Sequence, residues 1–131
     1  MTSATWTAPA IPDSVPRLRM RAVDFAATRA VIDPPINDLK LALSEAITNA
    51  VVHAFREDTA GTVTVTLTVD PAAREVKALV IDDGLGCKPR PDSPGLGLGL
   101  PLIATLAESM EVRTAPAGQG TEVCMTFTLE R

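Results

Sequence analysis

From Thr62 to Val69 the chain reads Thr-Val-Thr-Val-Thr-Leu-Thr-Val, polar and apolar residues in strict alternation. A side-chain period of two fits an extended strand with one face against a core and the other polar. Asp70-Pro71 starts a turn and Glu75 to Ile81 returns, which predicts an antiparallel hairpin. Thr121 to Leu129 alternates in the same way, with Val123, Met125, Phe127 and Leu129 inward. It pairs with Glu111 to Ala115 in a closing hairpin around Gly118 and Gly120.

The remaining segments have helical spacing. Asp24 caps a short helix to Ile32, closed by Pro34-Pro35. Asn37 or Asp38 caps a long one to about Glu57, with Leu39, Leu43, Ala46, Ile47, Ala50 and Ala54 as its buried stripe. Leu100 to Met110 is a third, with Pro101 in its first turn. Val15 to Val23 is expected as a short edge strand, with Leu18 and Met20 inward. Residues 1–14, which contain Pro9 and Pro12, are expected as a flexible tail, and 15–131 as a single domain. Strand, helix, helix, two strands, helix, two strands predicts an α+β fold. It is a two-layer α/β sandwich whose mixed, mostly antiparallel sheet carries its helices on one face.

The 131 residues are 46% hydrophobic but only 3% aromatic, so the core must be aliphatic. The net charge of −4 and the lack of a basic run argue against a nucleic-acid surface. No apolar run reaches membrane-spanning length and no signal peptide is recognisable, so a cytoplasmic protein is expected. Cys87 and Cys124 read as reduced thiols, and one histidine with no paired Cys spacing argues against a Cys/His metal site. A bound phosphate must therefore be held by backbone amides or by a metal.

Leu43-Ser44-Glu45-Ala46-Ile47-Thr48-Asn49-Ala50-Val51-Val52-His53-Ala54 is apolar almost all round, yet Glu45 and Asn49 stack one turn apart. Polar groups on a buried helix need partners; a metal ion, a reacting hydroxyl, or both would serve. Five of the eight glycines lie between positions 84 and 99, in two clusters. Such glycines let the backbone approach a ligand closely, and amides freed near a helix start form a phosphate nest. No Gly-Lys-Ser/Thr ending is present, which excludes a P-loop. Gly95-Leu96-Gly97-Leu98-Gly99-Leu100 has leucine where the dinucleotide fingerprint needs its third glycine. Asp82 ends a strand just before Gly84 and Gly86. A carboxylate there can accept a hydrogen bond from the exocyclic amine of adenine and repel the carbonyl of guanine. An ordinary Asp-Asp-Gly turn is the competing reading.

Glu45-xxx-Asn49, Asp82-x-Gly84-x-Gly86 and Gly95-x-Gly97-x-Gly99, in that order, resemble the ATP-binding domain of the GHKL (Bergerat-fold) ATPases and histidine kinases. The wording of residues 43–54 resembles the N-box of the anti-sigma factor serine/threonine kinases, of the RsbW and SpoIIAB type. The resemblance spans roughly residues 15–130. It implies that Asn49 coordinates Mg²⁺ bridging the ATP phosphates. Glu45 matches the general base for a serine or threonine hydroxyl of a partner protein, and Asp82 reads adenine with Gly84 and Gly86 beside it. Gly95, Gly97 and Gly99 match the box covering the phosphates, and Thr121, after Gly120, a Gly-Thr pair lining the adenine side. Lys88 and Arg90 are lid residues that either contact phosphate or are simply solvated.

The resemblance further implies a kinase that sequesters a sigma factor and phosphorylates an anti-anti-sigma (STAS-type) protein, and that forms a homodimer. The segment before the N-box is short, and so is the lid from Gly86 to Gly95, which holds Pro89, Pro91 and Pro94. A stiff lid favours the alternative of a non-catalytic ATP-binding interaction module. The catalytic half of a histidine kinase is disfavoured, since no helical dimerisation domain with a phosphoacceptor histidine is evident.

Overall fold

Residues 1–29, 31, 35–56, 61–83, 96–114 and 120–129 are described in a computed structural model of the chain. The elements run β1 (Thr2–Pro9), α1 (Ser14–Thr28), α2 (Pro35–Arg56), β2 (Thr62–Asp70), β3 (Glu75–Asp82), α3 (Leu96–Leu106), β4 (Ser109–Thr114) and β5 (Thr121–Thr128). The strands form one sheet in the order β1-β2-β3-β5-β4, and every pairing among them is antiparallel. Val63, Val65, Leu67 and Val69 of β2, Val76, Ala78 and Val80 of β3, and Val123, Met125 and Phe127 of β5 share one buried cluster with residues of all three helices. The helices therefore cover one face, as the α+β sandwich requires.

The alternation of β2 is also the reason for its opposite face. Ser3, Thr5 and Thr7 stand opposite Thr68, Thr66 and Thr64, and their hydroxyls pair at 2.7, 3.0 and 3.0 Å. Such cross-strand pairs stabilise a sheet by roughly 0.2–1 kcal/mol each. They also correct the expectation of a flexible tail, because Thr2–Pro9 is the edge strand. Ala4, Trp6 and Ala8 alternate there with hydroxyl residues, and Pro9 is harmless at a strand end on an edge.

Val15 to Val23 is likewise not a strand. It lies in α1, where Leu18, Ala22 and Ala26 recur every four residues and are buried. Met20, expected inward, is 61% exposed. The single helix α1 thus replaces the expected strand and short helix. Trp6 and Phe25 meet edge to face at 5.8 Å, fixing α1 against β1.

Helix α2 starts at Pro35, ahead of Asn37 and Asp38, since proline is suited to the first helical position. Asp38 then lies in the first turn, where a carboxylate favours the helix dipole. Helix α3 runs from Leu96, earlier than expected, and stops at Leu106, so Met110 belongs to β4. Pro101 consequently sits inside α3, not in its first turn. It has no N–H for the carbonyl of Gly97 four residues earlier.

Candidate nucleotide site

Helix α2 carries the first two candidate residues. Leu39, Leu43, Ala46, Ile47 and Ala50 fix which side of it is buried. Glu45 and Asn49, one turn apart, are half-buried at the margin of that stripe. The amide nitrogen Nδ2 of Asn49 is buried and has no hydrogen-bond partner among the described residues. An unsatisfied buried donor costs about 1–3 kcal/mol, so an unpartnered amide N–H here fits a site made for a ligand. A carboxamide offers an oxygen to a hard cation and an N–H to an anionic oxygen, the pair of contacts that magnesium and phosphate together need. Among the described residues no cluster of three His, Cys, Asp or Glu side chains is placed to hold a metal. A metal at Asn49 would thus need phosphate and water for its other ligands.

Asp82 and Thr121 come together across the sheet. They are facing residues of β3 and β5. Asp82 has the parity of Val76, Ala78 and Val80, and Thr121 that of Val123 and Met125, so both point to the helix side. Thr121 is buried and Asp82 half-buried. Helix α2 packs on both strands from that side.

Gly120, buried next to Thr121, has φ of 92°. A Cβ there would collide with the carbonyl oxygen of Asp82 and lie 2.9 Å from its carbonyl carbon. Only glycine supplies both that backbone angle and that close approach. The Gly-Thr pair is therefore fitted against the strand end that carries Asp82.

A further contact at this strand end was not anticipated from the sequence. The Asp83 carboxylate accepts from the backbone N–H of Thr62 at 2.7 Å and from its hydroxyl at 2.9 Å. The N–H bond, foremost, holds the Asp83 carboxyl below the usual range, and the hydroxyl adds to it. A Cβ on Gly61 would lie 2.8 Å from that carboxylate. The signal in the sequence was an Asp-Asp doublet ending one strand and a glycine opening another.

Gly97 and Gly99 open helix α3, which packs on α2. Gly84, Gly86 and Gly95, with Cys87, Lys88 and Arg90, lie outside the described residues. Cys124 is buried, and burial raises its thiol pKa, which makes it a poor nucleophile. No described helix is long and apolar enough to cross a membrane.

An antiparallel sheet under three helices, with an unpartnered amide nitrogen on α2 and a tightly fitted strand end, defines a two-layer α+β domain with a candidate ligand site. The chain belongs to the histidine kinase-like ATPase domain family, whose pattern matches residues 8–127. Among its relatives is the anti-sigma F factor of Clostridium acetobutylicum, 30% identical over 79% of this chain and 79% of its own length. The serine-protein kinase RsbW of Bacillus licheniformis is 33% identical over 94% of this chain and 83% of its own. The solved structure of the RsbU and RsbW domains of a Mycobacterium tuberculosis protein superimposes with a TM-score of 0.76 at 23% identity, which shows the fold. This chain spans all of its own length there but 33% of that larger chain.

Proposed function

We propose that this protein is an anti-sigma factor of the serine/threonine kinase type. It binds Mg-ATP, holds a sigma factor, and phosphorylates a serine or threonine on an anti-anti-sigma protein. The observation that carries the reading is the buried, unpartnered amide nitrogen of Asn49 one turn after Glu45. The names of the relatives point to the same activity.

In this reading Asp82, with Thr121 and Gly120 beside it, receives the adenine. Gly84 and Gly86 belong with Asp82 to the adenine side, and Gly95, Gly97 and Gly99 to the phosphates, where glycine permits close backbone approach. Asn49 holds the Mg²⁺, which neutralises charge on the phosphate oxygens when bound. Glu45 takes the proton from the incoming hydroxyl as its oxygen bonds to the γ-phosphorus. The bond from that phosphorus to the bridging oxygen breaks, and ADP leaves. Phosphoryl transfer is mostly positioning and charge neutralisation, so one base beside one metal ligand on a rigid helix suffices. We infer further that the protein acts as a homodimer.

The test mixes the protein with Mg-ATP and a STAS-type anti-anti-sigma protein, with mass spectrometry for phosphoserine or phosphothreonine on the latter. A single phosphorylated site supports the kinase. Nucleotide binding without transfer would leave a non-catalytic ATP-binding module of the same fold.

A further inference from the structure

The strand end that carries Asp82 is held from both sides, by different means. On the β5 side, Gly120 lies so close that its missing Cβ makes room for the Asp82 carbonyl. On the β2 side, Asp83 turns its carboxylate edgewise onto Thr62, accepting from both backbone and hydroxyl. The Asp83 N–H in turn donates to the Thr62 carbonyl at 3.4 Å. Thr62 is anchored by its neighbour, since the carbonyl of Gly61 accepts from the Ala10 N–H at 2.9 Å. A strand end without such ties frays, because its last groups lack ladder partners.

We propose that Asp83 is a positioning residue for purine selection, which clamps the end of β3 to Thr62 so that the Asp82 carboxylate keeps a fixed place beside Thr121. The inference rests on the reading of Asp82 as the adenine acceptor. Selectivity for an exocyclic amine depends on where the acceptor sits, and a hydrogen bond weakens steeply with misalignment. Gly61 belongs to the clamp as well. Its hydrogen leaves the space that the Asp83 carboxylate occupies, and a methyl there would push the carboxylate off the Thr62 N–H.

The experiment measures binding of Mg-ATP and of Mg-purine riboside triphosphate, which lacks the 6-amino group, to the full chain. The variants are Asp83→Ala, Asp83→Asn and Gly61→Ala. Asp83→Ala is expected to weaken ATP roughly threefold to tenfold, the size of one lost charge-assisted contact. The purine riboside triphosphate should change less than about twofold, since it never used Asp82. Asp83→Asn should keep the ATP preference, because its Oδ1 can accept from the Thr62 N–H and its Nδ2 can donate to the Thr62 hydroxyl. Gly61→Ala should lower the preference with Asp83 intact, and it serves if Asp83→Ala fails to fold. Equal weakening of both nucleotides, or no change in either, overturns the proposal while leaving Asp82 as the adenine acceptor. A wild-type protein that binds both nucleotides equally overturns the assignment of Asp82 itself.

Discussion

Gly120 lies so close to Asp82 that no side chain can stand between them. The carbonyl of Asp82 fills the space a Cβ at position 120 would need, and Asp83 Cα is 3.0 Å from the same point. Gly120→Ala meets both this collision and a φ of 92° that L-residues avoid. It should destabilise the fold by at least about 2 kcal/mol. Denaturant titration measures the loss, and a stability within about 0.5 kcal/mol of wild type would contradict the close approach.

Asn49 offers a test with opposite signs. Its buried Nδ2 has no partner among the described residues. Asn49→Leu removes that donor at similar volume, so the nucleotide-free protein should gain about 1 kcal/mol. Mg-ATP binding should fall at least about tenfold, because the leucine offers magnesium no ligand. Thermal unfolding without nucleotide and titration with Mg-ATP give the two readouts. A stability loss together with unchanged affinity would place Asn49 in the scaffold and not in the site.

Glu45→Gln keeps the size of the side chain and removes its basicity. Transfer to the anti-anti-sigma protein should slow by about 10²–10⁴, the usual contribution of a general base. ATP affinity should stay within about twofold, since the proton moves only in the transition state. A variant that transfers at the wild-type rate would assign the base elsewhere.

Asp83 predicts a pH signature. Its hydrogen bonds from the Thr62 N–H and hydroxyl hold the folded-state pKa below the ordinary range of an aspartate, so the folded chain binds this proton more weakly than the unfolded one. The stabilisation is therefore complete above the unfolded pKa and disappears as pH falls through the folded one. Wild type and Asp83→Ala should differ in stability at neutral pH, and the gap should narrow below about pH 4. The carboxylate is exposed, so solvent screening keeps the gap small. A gap that widens in acid would have the wrong sign for a depressed carboxyl.

Much of the fold was legible in the sequence because its two periods are clean. The alternation of Thr62 to Val69 fixed a strand and its buried face, and Leu39, Leu43, Ala46, Ile47 and Ala50 fixed a helix. The N-terminus departs from its local signals for a definite reason. Pro9 and Pro12 suggest disorder locally, but Thr5 and Thr7 find their partners on Thr66 and Thr64, about sixty positions away. Leu18 and Met20 suggest alternation, while the helical repeat Leu18, Ala22, Ala26 uses small residues that carry little hydrophobic signal. In the candidate site, the motifs single out Glu45, Asn49, Asp82 and Thr121. They do not single out the clamp of Asp83 on Thr62, because nothing local couples two residues on separate strands.

The strand order β1-β2-β3-β5-β4 has a consequence for how this protein is made. Strand β5, the last of the five to leave a ribosome, is the one that inserts between β3 and β4. Until it emerges, Asp82 lacks Thr121 and β3 offers an open edge to any neighbouring chain. The nascent protein thus lacks the pairing of Asp82 with Thr121 while it is being translated. A ligand held at the junction of Asp82 and Thr121 would stabilise only the finished sheet and give no help to partial ones.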